Sequence, residues 1–143
     1  MRKIGIDYGD SRVGIAITDA LGITAQGLET ITHNGNDKVV LKRLEEIYNE
    51  YQFDTIVIGM PVNMDGTRTE RCEVTKAFIH KLKCKFSKIP VEEIDERLTT
   101  VAAHKTMNFL DVNKKKKKSI VDTISAVYIL ETYMNKLKNE NNM

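Results

Sequence analysis

Three acidic positions carry the chemistry open to this sequence: Asp7, the adjacent pair Asp95 and Glu96, and Asp122. Asp7 closes an alternating stretch just before a glycine-containing turn, where a carboxylate is either a turn former or a ligand. Asp95 and Glu96 end a second stretch and are followed by Arg97. Adjacent residues at a strand end point to opposite faces, so at most one of the two acids can share a pocket with Asp7. The other would bind a backbone amide or the neighbouring arginine, and Thr99 or Thr100 could cap the helix that follows. Asp122 is expected early in a last helix, among Ile120, Val121, Ile124, Ala126, Val127, Ile129 and Leu130. The helix macrodipole alone could account for an acid there. Yet the segment is apolar nearly all round, which puts Asp122 near a sheet, where an ionised carboxylate needs a partner or a cation.

Carboxylates from two strand ends and a helix start can converge on one side of a sheet. Such a cluster repels itself and calls for hard divalent cations with oxygen ligands, Mg²⁺ or Mn²⁺. Two ions about 4 Å apart can activate a water and stabilise the leaving oxygen of a phosphodiester. Just ahead of Asp122 lies a run of lysines, Lys114, Lys115, Lys116, Lys117 and Lys118. With Lys105 and against Asp111, residues 105–118 hold a local charge of +5, while the whole chain is only +2. A near-neutral body with one cationic strip suits a polyanion, each lysine–phosphate contact releasing roughly one condensed counterion. The plainer alternative is a solvated loop whose lysines repel one another.

The elements that must position these groups are legible from periodicity. Lys3 to Asp7 alternates as a strand, with Ile4 and Ile6 on one face and Lys3, Gly5 and Asp7 on the other. After the turn at 8–12, Val13, Ile15 and Ile17 repeat the period and predict an antiparallel hairpin. A weaker third strand is expected over Gly22 to Thr32. Val40, Leu44, Ile47 and Tyr51 then recur at helical spacing within 37–52. Asp54 to Met60, ended by Pro61, reads as a central buried strand. A helix over about 67–84, a strand over 89–95 and two closing helices at about 99–110 and 119–138 follow, the last two separated by the lysine run. The expected class is α/β: a mixed five-stranded sheet, antiparallel meander plus parallel strands, flanked by helices.

Composition bounds the rest. A chain of 143 residues with 41% hydrophobic and 29% charged content is expected to form a single domain, 1–143. No segment approaches ~18 consecutive apolar residues, and no membrane partner is expected. The start, Met-Arg-Lys followed by a short interrupted apolar stretch, does not resemble a signal peptide, so a cytoplasmic location is expected. Cys72 and Cys84 form no CxxC clip, and His33, His80 and His104 are expected to stand apart from them, which argues against zinc. With 6% aromatics and no Trp, there is little material for a base-stacking platform.

The same segments resemble the YqgF family, the RuvX-type proteins described as Holliday junction resolvases and as pre-16S rRNA nucleases. The run from Asp7 through Gly9, Arg12 and Gly14 to Ala16 is similar to the family's D-x-G-x-x-R-x-G-x-A opening. Gly59-Met-Pro61-Val-Asn63-Met-Asp65-Gly66 is similar to its G-x-P-x-x-x-D-G loop, and Asp95-Glu96-Arg97-Leu98-Thr99-Thr100 to its D-E-R-x-[ST]-T motif. The lysines, Asp122, Ala126 and Ile129-Leu130 resemble the fourth motif, with Ser125 where the family often has alanine. The resemblance implies a ribonuclease H-like fold and a nuclease using Mg²⁺ or Mn²⁺, with two ions. Carried over, Asp7 would ligate both ions, and Glu96 and Asp122 would complete the shell. Arg12 would meet a phosphate, the alternative being a surface pair with Asp10. Asn63 would face substrate, and Arg97 would orient the acids or touch substrate.

Maturation of the 5′ end of pre-16S rRNA, on structured RNA and within a pre-ribosomal particle, is the expected role. Cleavage of branched four-way DNA is the second enzymatic reading; it would favour a homodimer over a monomer. A nucleic-acid binder without catalysis is a third. The Ile4 to Gly9 segment also resembles the first phosphate loop of actin-like ATPases, but those need a second such domain, and no GxxxxGK[ST] loop is present.

Overall fold

The computed structural model describes residues 2–61, 70–95 and 114–141, with side chains of the last stretch from Asp122 to Glu140. Among them are five strands, β1 (Arg2–Tyr8), β2 (Arg12–Thr18), β3 (Ala25–Thr32), β4 (Phe53–Met60) and β5 (Val91–Asp95). Three helices accompany them: α1 (Asp37–Tyr51), α2 (Glu70–Lys85) and α3 (Lys114–Asn141). One mixed sheet runs β3-β2-β1-β4-β5. β1 pairs antiparallel with β2 and parallel with β4; β2 and β3 are antiparallel, β4 and β5 parallel. β1 is thus the middle strand, and β4, read from sequence as a central buried strand, lies inside the sheet beside it.

Alternation along the strands splits the core in two. Ile4, Ile6, Tyr8, Val13, Ile15, Ile56 and Ile58 pack with Val40, Leu44 and Ile47 of α1 and Phe78, Ile79 and Leu82 of α2. On the opposite face Ala16, Val57 and Ile94 meet Ala126, Ile129 and Leu130 of α3. That second face is built for close approach. A Cβ on Gly14 would lie 2.0 Å from the Asp122 carbonyl oxygen, and one on Gly5 2.8 Å from that of Ala126. Only glycine lets the helix backbone lie this near the sheet. Asp122, Ala126 and Leu130, four residues apart, are the helix stripe that fits the track.

Several boundaries differ from the sequence expectation. The third strand begins at Ala25, because 19–24 is a turn in which Asp19 Oδ1 accepts from the amides of Ile23 and Thr24. The strand after α2 starts at Val91, past Pro90, whose carbonyl accepts from the Ile56 amide. The lysine run is not a connection ahead of the last helix: α3 begins at Lys114 and includes it. Lysine is a good helix former and no glycine or proline interrupts the segment, so propensity carries the helix through the like charges. Asp122 therefore lies eight residues into α3, beyond reach of the N-terminal dipole. The helix expected at 99–110 falls outside the described residues.

Candidate active site

Asp7 stands at the carboxyl end of β1, where the strand's alternation gives it the face of Gly5, towards α3, and Tyr8 the face of α1 and α2. Its register partner on β2 is Gly14, and opposed residues of an antiparallel pair have Cα atoms only about 4.5–5.5 Å apart. The position of a Cβ on Gly14 is 3.0 Å from the Cβ of Asp122. Asp7 and Asp122, far apart in sequence, are thus both placed beside Gly14 on one face of the sheet, at its carboxyl edge. The missing side chain at Gly14 leaves room for the α3 backbone at Asp122.

Asp122 does not face this space alone. The Arg12 Nε–H donates to its Oδ2 at 2.8 Å, with side chains 35% and 20% exposed respectively. The alternative pairing of Arg12 with Asp10 is not the one formed. Asp10 instead receives Arg71 Nη1 at 2.7 Å. The same guanidinium donates through Nη2 to the Tyr8 carbonyl at 2.9 Å and lies over the Tyr8 ring, 5.4 Å from its centroid. Arg71, in the first turn of α2, thus holds the chain immediately after Asp7.

From the other side the turn is held by the β3–α1 connection. The His33 ring is buried and accepts from the Gly35 amide at Nδ1, which leaves Nε2–H to donate to the Gly9 carbonyl at 3.0 Å. The His33 amide donates to the Ser11 carbonyl. The Tyr8 ring is stacked between His33 and Phe78, and its hydroxyl donates to Asp37 Oδ1 at 2.5 Å. Burial, then the Asp37 carboxylate, pushes the Tyr8 hydroxyl well above its ordinary pKa. Burial would raise Asp37 too, but the Tyr8 hydroxyl and Lys81 outweigh it and keep the carboxyl below its usual range. Arg71, His33, Tyr8 and Asp37 were not singled out from sequence. Only Tyr8, beside Asp7 in the first motif, carried any signal.

The other expected site residues divide by position. Asp95 shares the face of Val91, which packs with the α1/α2 core, whereas Ile94 faces α3. Asp95 is thus on the side of the sheet away from Asp7. Glu96, Asn63 and Arg97 lie outside the described residues. Lys114 to Lys118 form the opening turns of α3. Since Asp122 sits by Gly14 and Ala126 by Gly5, the helix runs back along β1, and its lysine end projects past the edge that bears Asp7. The run spans about 6–12 Å from Asp122 along the axis.

Among the described residues no three His, Cys, Asp or Glu side chains form a group able to hold a metal. His80 and Cys84 do approach, at 3.7 Å across one turn of α2, so the histidines do not all stand apart from the cysteines. Cys72 is buried and Cys84 exposed. Ser125 is buried, and its hydroxyl has no hydrogen-bond partner among the described residues.

The mixed sheet with helices on both faces is the ribonuclease H-like fold shared by the junction resolvases. The structure of Thermus thermophilus RuvC in complex with a Holliday junction substrate superposes with a TM-score of 0.54 over 92% of this chain and 96% of that one, at 10% identity. The fowlpox virus Holliday junction resolvase gives 0.56 over 96% and 99%, at 13% identity. Residues 1–136 match the family described as RuvX, Holliday junction resolvase, and the chain belongs to that family. Two relatives, each named "Putative pre-16S rRNA nuclease", come from Acetivibrio thermocellus and Ruminiclostridium cellulolyticum. The first is 54% identical over 94% of this chain and 95% of the relative; the second is 52% identical over 96% of each. A nuclease is what the family description and the relatives' names have in common.

Proposed function

We propose that the chain hydrolyses phosphodiester bonds of RNA with Mg²⁺ or Mn²⁺ held by Asp7, Glu96 and Asp122. The observation that carries this reading is that Gly14 has Asp7 as its register partner and Asp122 packed against it on the same face of the sheet. Two hard oxygen donors side by side suit a divalent ion, and the guanidinium already on Asp122 marks a place that favours positive charge. What supports Glu96 rather than Asp95 as the third acid is the strand's alternation: Asp95 has the wrong face, and Glu96 follows it. Bound there, the ions would supply a hydroxide nucleophile and neutralise the leaving oxygen. Asp7 is held for this task by a backbone that Arg71 and His33 lock on both sides. Lys114 to Lys118, at the same edge, would hold flanking phosphates, with Arg12, Asn63 and Arg97 nearer the cut.

The relatives' names favour pre-16S rRNA as the substrate, and we place the cut at its 5′ end, in the cytoplasm and on a pre-ribosomal particle. With Mg²⁺ or Mn²⁺, purified protein should shorten a pre-16S fragment faster than it cuts four-way DNA. Asp7→Asn should lower that rate by on the order of 10²-fold or more while leaving the melting temperature in place. Unchanged turnover in the variant would remove the mechanism. Preferential cutting of four-way DNA, with a dimer in sedimentation, would transfer the assignment to junction resolution.

A further inference from the structure

Arg12 has more to do than meet a phosphate. We infer that Arg12 and the divalent ion are alternative counter-cations for Asp122, so that metal entry releases Arg12 to a substrate phosphate. This rests on the metal-site reading above. The carboxylate oxygen that Arg12 holds at 2.8 Å belongs to an acid of the candidate metal shell. A guanidinium and a dication on one carboxylate repel each other, so each weakens the other's hold. Neither partner is sealed in, with 35% of the Arg12 side chain and 20% of that of Asp122 exposed, so the exchange needs no opening of the core.

The backbone at Arg12 stays where it is during such an exchange. Its carbonyl accepts from the Gly9 amide, its Cα is in register with Thr32, and the preceding carbonyl accepts from the His33 amide. Movement is confined to the side chain, which pivots from a fixed point at the edge of the site. A guanidinium released there presents a planar donor fork suited to a phosphate. A phosphodiester that engages Arg12 removes the competitor from Asp122, so nucleic acid and metal each tighten the binding of the other. Linkage makes that coupling reciprocal.

The test is Mn²⁺ affinity by calorimetry on the full chain, for the parent, Arg12→Gln, Arg43→Gln, Asp7→Asn and Asp122→Asn. Arg12→Gln should bind Mn²⁺ about five-fold more tightly than the parent, the scale of a partly exposed ion pair. Arg43→Gln removes a cation of similar exposure that pairs with Glu29 and Glu46, and should change affinity by less than about two-fold. A non-cleavable 2′-O-methyl RNA should tighten Mn²⁺ binding to the parent and do so less for Arg12→Gln. In ¹⁵N spectra of the parent, saturating Mg²⁺ should shift the Arg12 Nε–H signal away from its ion-paired position. Unchanged or weaker Mn²⁺ binding by a folded Arg12→Gln, equal tightening in Arg43→Gln, or an Arg12 signal indifferent to Mg²⁺ would overturn the exchange. If Asp7→Asn and Asp122→Asn still lose Mn²⁺ in that case, the metal site stands and only the role of Arg12 falls. Absence of Mn²⁺ binding by the parent would overturn both.

Discussion

Asp37 shows how a residue remote from the acids governs their footing. It lies at the start of α1, takes the Tyr8 hydroxyl on one oxygen and Lys81 of α2 on the other, and so ties β1 to two helices. Because its carboxyl is held below the ordinary value, folding favours the ionised form. The resulting stabilisation is present above the unfolded pKa of about 3.9 and is lost as pH falls through the lower folded value. Asp37→Asn keeps an acceptor for Tyr8 but drops the charge, so at pH 7 it should cost about 1 kcal/mol. Urea unfolding of variant and parent should converge as pH is lowered below about 4, and a constant gap would show that the charge is not the cause. Nothing in the order of residues announced this: Asp37 reads from sequence as a helix-start acid, and Lys81 belongs to a distant helix. Asp7 and Asp122 stand out in the sequence because acids in apolar segments violate the pattern around them. Pairing Arg12 with Asp10 was the natural local guess, but α3 brings Asp122 onto the guanidinium and Arg71 takes Asp10.

Among elements, the seam between α3 and the sheet decides the site. Gly14→Ala would set a methyl group 2.0 Å from the Asp122 carbonyl oxygen, and that atom is helix backbone, which cannot turn aside. The helix must lift as a unit. A loss of roughly 1–3 kcal/mol in chemical unfolding is expected, the scale of overpacking a tight interface. Nuclease activity should fall further than the unfolded fraction explains, because Asp122 moves with the backbone. A variant with parental stability and rate would show that the seam has slack. Strand and helix types were readable because periods of two and 3.6 are local. Element ends were less so: the Asp19 turn delays β3, and the lysines extend α3 upstream through their own helix propensity.

At the scale of the molecule, charge and topology share one edge. The sheet's central strand delivers Asp7 there, and α3, running back along it, starts its lysine turns beyond the same edge. Five cations at a helix N-terminus oppose the dipole, and a polyanion relieves that conflict. Replacing Lys114 to Lys118 with glutamine should flatten the plot of log affinity against log salt by about 3.5 to 4.5, roughly 0.7–0.9 for each phosphate no longer neutralised. A filter-binding series from low to high salt would read this directly, and an unaltered slope would place the phosphates elsewhere. By itself, the order of residues determined the class of sheet, the buried faces, the acids and the basic strip, since each is written in neighbours a few positions apart. Which acids become neighbours, and which arginine answers each, was decided only in three dimensions. Those pairings depend on how closely a helix can lie on two glycines distant from it in the chain, and no local pattern encodes that distance.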